Sequence, residues 1–222
     1  MQDMKRKIRM SWKLCVIVGG EENPYQIAET ALQEGAGLIQ YRGKGKSGVV
    51  QLREASLLRN LTREYEADLV INDRPDIAML SEADGVHLGA EDLPVPAARD
   101  LMGYCMIIGA TAHSLEEARQ AEKTGADYIG FGSVFATRSK NGVPVAGLET
   151  LGDVARTVSV PVIGIGGITP ENIKGVFSNG AAGAAVLSSV SGSSDPGRAV
   201  RNILQNIVEI SAMSGSSQME SK

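Results

Sequence analysis

Thr124-Gly125-Ala126-Asp127 leads into the short apolar run Tyr128–Phe131, and the same kind of turn recurs along the chain. Glu34-Gly35-Ala36-Gly37 precedes Leu38–Tyr41, Glu82-Ala83-Asp84-Gly85 precedes Val86–Leu88, and Asn179-Gly180-Ala181-Ala182 precedes Ala184–Leu187. Glycine in such a turn takes the left-handed conformation that stops a helix, and alanine lets the chain enter a buried strand tightly. Repetition of one helix-to-strand turn implies equivalent βα units.

Working outward, further strands are expected at Leu14–Val18, Leu69–Asn72, Met106–Thr111 and Val162–Ile165. Amphipathic stretches lie between them at Tyr25–Gln33, Val49–Tyr65, Leu115–Lys123, Leu148–Thr157, Pro170–Ser178 and Gly197–Ile210, with shorter helices at Arg74–Leu80 and Pro94–Leu101. Short apolar strands alternating with helices build a parallel sheet. About eight such units in 222 residues fit a closed (β/α)8 TIM barrel better than an open doubly wound sheet. The barrel is expected to span residues 14–210 as a single domain. A basic extension, residues 1–13, precedes it, and a polar tail, 211–222, expected to be disordered, follows.

The formal net charge is −4, which argues against a nucleic-acid surface and makes local clusters of cations worth reading as sites. Cys15 and Cys105 are far apart and form no CxxC pair, so they read as buried free thiols of a reducing compartment, with a disulfide the less favoured alternative. The apolar run Leu14–Val18 is too short for a signal core or a membrane span. A cytoplasmic protein with no membrane partner is expected, and a homo-oligomer is compatible with the sequence.

Barrel active sites lie at the C-terminal ends of the strands. Gln40, Arg42 and Lys44 follow the second strand, Asn72 and Asp73 the third, Glu91 and Asp92 the fourth. Thr111 and His113 follow the fifth strand, and Thr137, Ser139 and Lys140 the sixth. Neighbouring parallel strands are about 4.8 Å apart, so Asp73 and Asp92 can share one divalent cation. Mg²⁺ prefers one or two carboxylates together with phosphate oxygens, and Arg42 and Lys44 supply cations for an anion beside it. The plainer alternatives are that Asp73 caps the next helix or pairs with Arg74, and that Asp92 caps the helix after it. Glu91 reads as solvent-facing.

A second constellation is Ile163-Gly164-Ile165-Gly166-Gly167-Ile168-Thr169-Pro170-Glu171-Asn172. Two glycines, then a threonine cap with proline at the first helical position, suit an anion held by backbone N–H groups. Together with Ser188 after the eighth strand, this is where barrels commonly bind phosphate. The competing reading is a tight turn without a ligand; a dinucleotide site is weaker because GxGxxG is absent. Two anion sites flanking one cavity suit the joining of two phosphorylated molecules, since holding both removes much of the entropic barrier.

His87 alternates to the face opposite Val86 and Leu88 and reads as a structural, hydrogen-bonded histidine. His113 is either an acid or base at the cavity or part of a helix start. No GxSxG elbow is present, so a serine hydrolase is not indicated.

Several motifs together resemble the thiamin phosphate synthase family. They are Gln40-Tyr41-Arg42-Gly43-Lys44, Ile71-Asn72-Asp73-Arg74, Asp84-Gly85-Val86-His87-Leu88-Gly89 with Asp92, Gly125-Ala126-Asp127-Tyr128-Ile129-Gly130, Thr137-Arg138-Ser139-Lys140 and Gly164-Ile165-Gly166-Gly167-Ile168. The resemblance implies a barrel that joins hydroxymethylpyrimidine diphosphate to thiazole phosphate, releasing diphosphate through a dissociative path. It also implies that Arg42, Lys44, Asn72 and Lys140 hold the diphosphate, Asp73 and Asp92 bind Mg²⁺, and Gln40 and Thr111 contact the pyrimidine. Thr137, Ser139, Gly167 and Ser188 would grip the thiazole phosphate.

Some positions depart from the family pattern. Cys15 stands where an aromatic is usual, Ala90 for glutamine, Ser133 for proline and Thr111 for serine, while Gly43 is expected to loosen the loop between its two cations. The related thiazole tautomerase branch, with His113 as base and no metal, is the alternative. A non-catalytic barrel binding thiamin phosphates is a third reading. A Schiff-base aldolase using Lys44 or Lys140 lacks an apolar pocket to depress a lysine.

Overall fold

In the computed structural model, which describes residues 12–20, 23–137 and 144–217, the strands close into a barrel in chain order. The strands are β1 (Leu14–Val18), β2 (Leu38–Tyr41), β3 (Asp68–Asn72), β4 (Gly85–Leu88), β5 (Ile107–Ala112), β6 (Tyr128–Phe131), β7 (Val162–Ile165) and β8 (Gly183–Val186). All pairings are parallel, and β1 pairs β8 through Cys15 and Ala185 to seal the ring. The helices are α1 (Pro24–Gln33), α2 (Gly48–Glu64), α3 (Pro75–Leu80), α4 (Val95–Met102), α5 (Leu115–Lys123), α6 (Gly147–Thr157), α7 (Ile173–Ser178), α8 (Ser188–Ser191) and α9 (Pro196–Ser217). The expected (β/α)8 architecture is observed.

Alternation along each strand splits the core into two layers. Leu14, Val16 and Val18 of β1 face the helices, as do Ile39, Leu69, Ile71, Val86, Ile108 and Ile129 on later strands. Cys15, Ile17, Leu38, Val70, Ile107, Tyr128, Ile163 and Ala185 fill the lumen, with Trp12 from the segment before β1. Because both faces are buried, the strands read in sequence as short continuous apolar runs.

Glycine is what lets large rings enter this narrow lumen. A Cβ on Gly109 would overlap the Tyr128 ring, and one on Gly130 would stand 2.7 Å from Cε1 of His87. Trp12 meets Tyr128 edge to face at 5.4 Å, and its indole N–H donates to buried Asp68 at 2.7 Å.

The repeated turn has a second role beyond stopping helices. Asp84, before β4, accepts from the Leu69 N–H of β3 at 2.9 Å and from Arg59 of α2 at 2.6 Å. Asp127, before β6, does the same with Ile108 N–H of β5 at 2.8 Å and Arg99 of α4 at 2.6 Å. Each aspartate thus fastens a helix, the strand after it and the next strand at the end of the barrel away from the strand C-termini.

Most element ends fall within one residue of expectation, and three departures are larger. Helix α7 begins at Ile173 instead of Pro170, with Asn172 at its N-cap position, so Thr169 is not the cap. A short helix, α8, follows β8 where none was expected. Helix α9 continues to Ser217, so residues 211–217 extend the last helix, while 218–222 lie outside the described residues.

Candidate active site

A cavity of about 290 Å³ opens at the C-terminal ends of the strands. Of the residues singled out in the sequence, Gln40, Arg42, Asn72, Thr111, His113, Thr137, Gly167 and Ser188 line its wall. Lys44 stands exposed on the turn after β2, outside that wall. Ser139 and Lys140 lie outside the described residues.

On the β2–β3 side, Gln40 points inward by strand alternation, and its Nε2 donates to Asn72 Oδ1 at 2.7 Å. The loop carrying Arg42 and Lys44 is anchored and not loose. Its Gly43 is a close-approach position: a Cβ there would lie 2.5 Å from the Tyr41 hydroxyl and 2.9 Å from Cγ of Gln51. Tyr41 donates to Glu54 at 2.6 Å, Lys46 pairs with Glu54 at 2.7 Å, and Gln51 donates to the Lys46 carbonyl at 2.8 Å. The expectation that Gly43 loosens this loop is therefore corrected.

Asp73 adopts a left-handed backbone, φ 66°, and its N–H donates to the His87 carbonyl of the neighbouring strand at 2.8 Å. That turn aims its carboxyl at Asp92, with which it shares a side-chain hydrogen bond. Burial, then the Asp92 hydrogen bond and negative charge, push Asp73 up to about 6, partly opposed by the positive charge of Arg42 and a hydrogen bond from Asn72. Asp92 is fixed by the Gly89 N–H at 2.6 Å. Neither aspartate caps a helix, since Arg74 and Pro94 occupy the cap positions of α3 and α4. Arg74 pairs with Asp76 at 2.5 Å instead. Two carboxyls this close cannot both ionise cheaply without a cation between them. Two carboxylates are a donor set that Mg²⁺ accepts when phosphate oxygens complete its shell, although neither aspartate is among the residues that line the cavity. Glu91 is exposed, as expected.

Across the cavity, Gly166 and Gly167 have φ of 97° and 64°. A side chain on either would strike the loop after β6, at Ser133 and at the Ala136 carbonyl respectively. Asn172, rather than Thr169, shapes the cradle: its Oδ1 accepts from Thr169 N–H and its Nδ2 donates to the Gly167 carbonyl, both at 2.9 Å. Ser188 opens α8 beside Ser189, whose buried hydroxyl has no hydrogen-bond partner among the described residues.

Between these two walls stand the histidines. His113 stands at the start of a helix and its ring also lines the cavity. Ser114 and Glu117 close the start of α5, with Glu117 also accepting from the His113 N–H at 2.7 Å. Its ring Nδ1 donates to the Gly132 carbonyl. His87 sits in the lumen, bonded to the Tyr128 hydroxyl at 2.9 Å and to Thr111 Oγ1 at 3.0 Å.

The model of the thiamine monophosphate synthase family matches residues 14–190 of this chain. The chain belongs to that family. The thiamine-phosphate synthase of Chlorobium phaeovibrioides is 46% identical over 88% of this chain and 94% of its own length. That of Pyrococcus abyssi is 43% identical over 91% and 98%. A solved thiamine phosphate pyrophosphorylase from Pyrococcus furiosus superposes with a TM-score of 0.85 at 40% identity, covering 90% of this chain and 97% of that one.

Membership of the thiamine monophosphate synthase family gives the departures a setting. Cys15 lies one lumen layer below the cavity wall, to which Ile17 of the same strand contributes its side chain. Burial pushes the Cys15 thiol up to about 12, so it is a neutral filler, whereas Cys105, also expected to be buried, is exposed. Ser133, which the sequence reading did not select as a site residue, lines the wall, as do Leu187 and Ser189 from the end of β8, where hydroxyl and backbone donors were expected. The sequence signal for Ser189 was its place beside Ser188 at the end of β8.

Proposed function

We propose that this chain condenses hydroxymethylpyrimidine diphosphate with thiazole phosphate in a Mg²⁺-dependent reaction, giving thiamin phosphate and diphosphate. The observation that carries the reading is the Asp73–Asp92 carboxyl pair beside Arg42, which itself lines one cavity with the Gly166–Gly167 cradle, although neither aspartate is part of that wall. Asp73 and Asp92 would hold Mg²⁺. When bound, the ion neutralises charge that builds on the departing diphosphate.

The chain's own groups account for the rest. Arg42, Asn72, Lys44 and Lys140 are suited to hold the diphosphate, with charge-assisted hydrogen bonds favouring its leaving form. Departure takes the electrons of the C–O bond and leaves a pyrimidine methyl cation. The thiazole nitrogen lone pair then forms the new C–N bond. Gly167, Ser188, Thr137 and Ser139 would fix the thiazole phosphate so that this nitrogen faces the carbon, and Gln40 and Thr111 would fix the pyrimidine. Proximity alone supplies a large part of such a rate enhancement.

We place the protein in the cytoplasm, because Cys15 and Cys105 are both unpaired, as a reducing compartment requires. No helix among the described residues is long and apolar enough to cross a membrane. The deciding experiment incubates purified protein with both substrates, with Mg²⁺ and with chelator. Product that requires the ion is expected. Isomerisation of a thiazole carboxylate phosphate without metal would favour the tautomerase reading, for which the His113 ring at the cavity wall, held through Nδ1 by the Gly132 carbonyl, is the supporting observation.

A further inference from the structure

Tyr128 is fully buried in the barrel lumen, and its hydroxyl bonds a single described partner, Nδ1 of His87 at 2.9 Å. A phenol O–H shut away from water has to donate, because an unmade buried donor costs more than a hydrogen bond gains. Desolvation raises the phenol well above its ordinary range, so the proton stays on oxygen. Nδ1 of His87 is therefore the acceptor, and a neutral ring must carry its one proton on Nε2. That nitrogen lies 3.0 Å from Thr111 Oγ1. Thr111 then receives a hydrogen bond from the ring, and its own O–H turns to the cavity that it lines.

We propose that Tyr128 and His87 are positioning residues that lock Thr111 as a hydrogen-bond donor toward the substrate ring, making the site selective for a ring acceptor nitrogen there. The glycines support the assignment. Gly109 and Gly130 leave the space in which Tyr128 and His87 sit, so the two rings are held in register by the backbone. The tilted ring contact, 5.4 Å between centroids, fixes their mutual orientation. On the opposite wall, Gln40 donates Nε2 to Asn72, which aims its Oε1 away from that bond as an acceptor. Thr111 and Gln40 thereby present unlike hydrogen-bonding senses to one ring. This inference rests on the pyrimidine reading above, and the tautomer it requires can be measured without any substrate.

The test is the long-range ¹H–¹⁵N spectrum of the imidazoles in the intact protein. The chain has two histidines, and a His113→Asn variant assigns the other ring. His87 protonated at Nε2 alone is the expected result. Protonation at Nδ1, or at both nitrogens, overturns the proposal whether or not the protein makes product. Tyr128→Phe should shift His87 to a mixture of tautomers and lower kcat/KM for the pyrimidine substrate roughly tenfold, the weight of about one hydrogen bond. KM for thiazole phosphate should stay put. An unchanged tautomer in Tyr128→Phe would remove Tyr128 from the device. Absence of product from the parent protein, with Nε2–H intact, would instead count against the function and not against the hydrogen-bond chain.

Discussion

The carboxyl groups of Asp73 and Asp92 hydrogen-bond to each other, although they belong to loops after different strands. One of them must keep a proton, or a cation must replace it. A pair of this kind spends fold stability to remain poised for an ion.

The first prediction concerns pH. Asp73 is raised to about 6 by burial and by Asp92. A carboxyl raised in the folded state binds its proton more tightly there than in the unfolded chain. Its contribution to stability is therefore present at low pH and is lost as pH climbs through about 4 to 6. Mg²⁺ needs both groups ionised, so its affinity should rise across the same window. Carbon-detected NMR of the side-chain carboxyls in metal-free protein should find Asp73 titrating near 6, and added Mg²⁺ should lower that midpoint. In Asp92→Asn the midpoint should fall toward the ordinary range. No movement in either case would refute the pairing.

Asp92→Asn also separates the carboxyl pair from the Gly166–Gly167 cradle. Turnover should fall by at least about 100-fold, as when a group stabilising the leaving charge is removed. Thiazole phosphate affinity, measured by calorimetry, should remain within about twofold because the Gly166–Gly167 cradle is built by other loops with no shared hydrogen-bond partner. Equal losses of both would show that the ion does not sit between residues 73 and 92.

Gly43→Ala tests the anchored loop. The new methyl meets the Tyr41 hydroxyl and Gln51, so the loop bearing Arg42 must shift. Displacements near 1 Å at a reacting group can cost up to about 100-fold. Steady-state kinetics should show a higher KM for the pyrimidine diphosphate with thiazole phosphate little affected. A kinetically silent variant would mean that the loop tolerates the methyl after all.

At the other end of the barrel, Asp84→Ala should destabilise the protein by about 3–5 kcal/mol, the cost of leaving a buried guanidinium unpaired. The Asp84 side chain is 2% exposed, against 30% for Asp127. Asp127→Ala should therefore cost less. Urea unfolding reads both values, and kcat of the folded fraction should be unchanged. The reverse order would mean that burial does not rank these clamps.

The barrel was legible because each strand is buried on both faces, which leaves a continuous apolar run such as Leu14–Val18 or Tyr128–Phe131. Both aspartates were legible as well, because strand ends on one rim are where carboxylates have a use. What was hidden depends on the third dimension. Gly43 looks permissive in a sequence, yet the Tyr41 hydroxyl sits where its side chain would be. Thr169-Pro170 has the form of a helix start, but Asn172 bonds back to Gly167 and delays the helix. Asp84 and Asp127 were visible only as parts of a turn, since their arginines come from earlier helices. Tyr128 and His87 lie far apart in the chain and meet only across strands.

The alternation of tiny and bulky residues across the barrel floor has an evolutionary corollary. A ring at position 128 demands an empty neighbour at 109, and the imidazole at 87 demands one at 130. Neither member of a couple can be enlarged before its mate shrinks. In descendants of this chain the two couples should change together or not at all, so the floor is a place where mutational drift stalls while the loops above it remain free to vary.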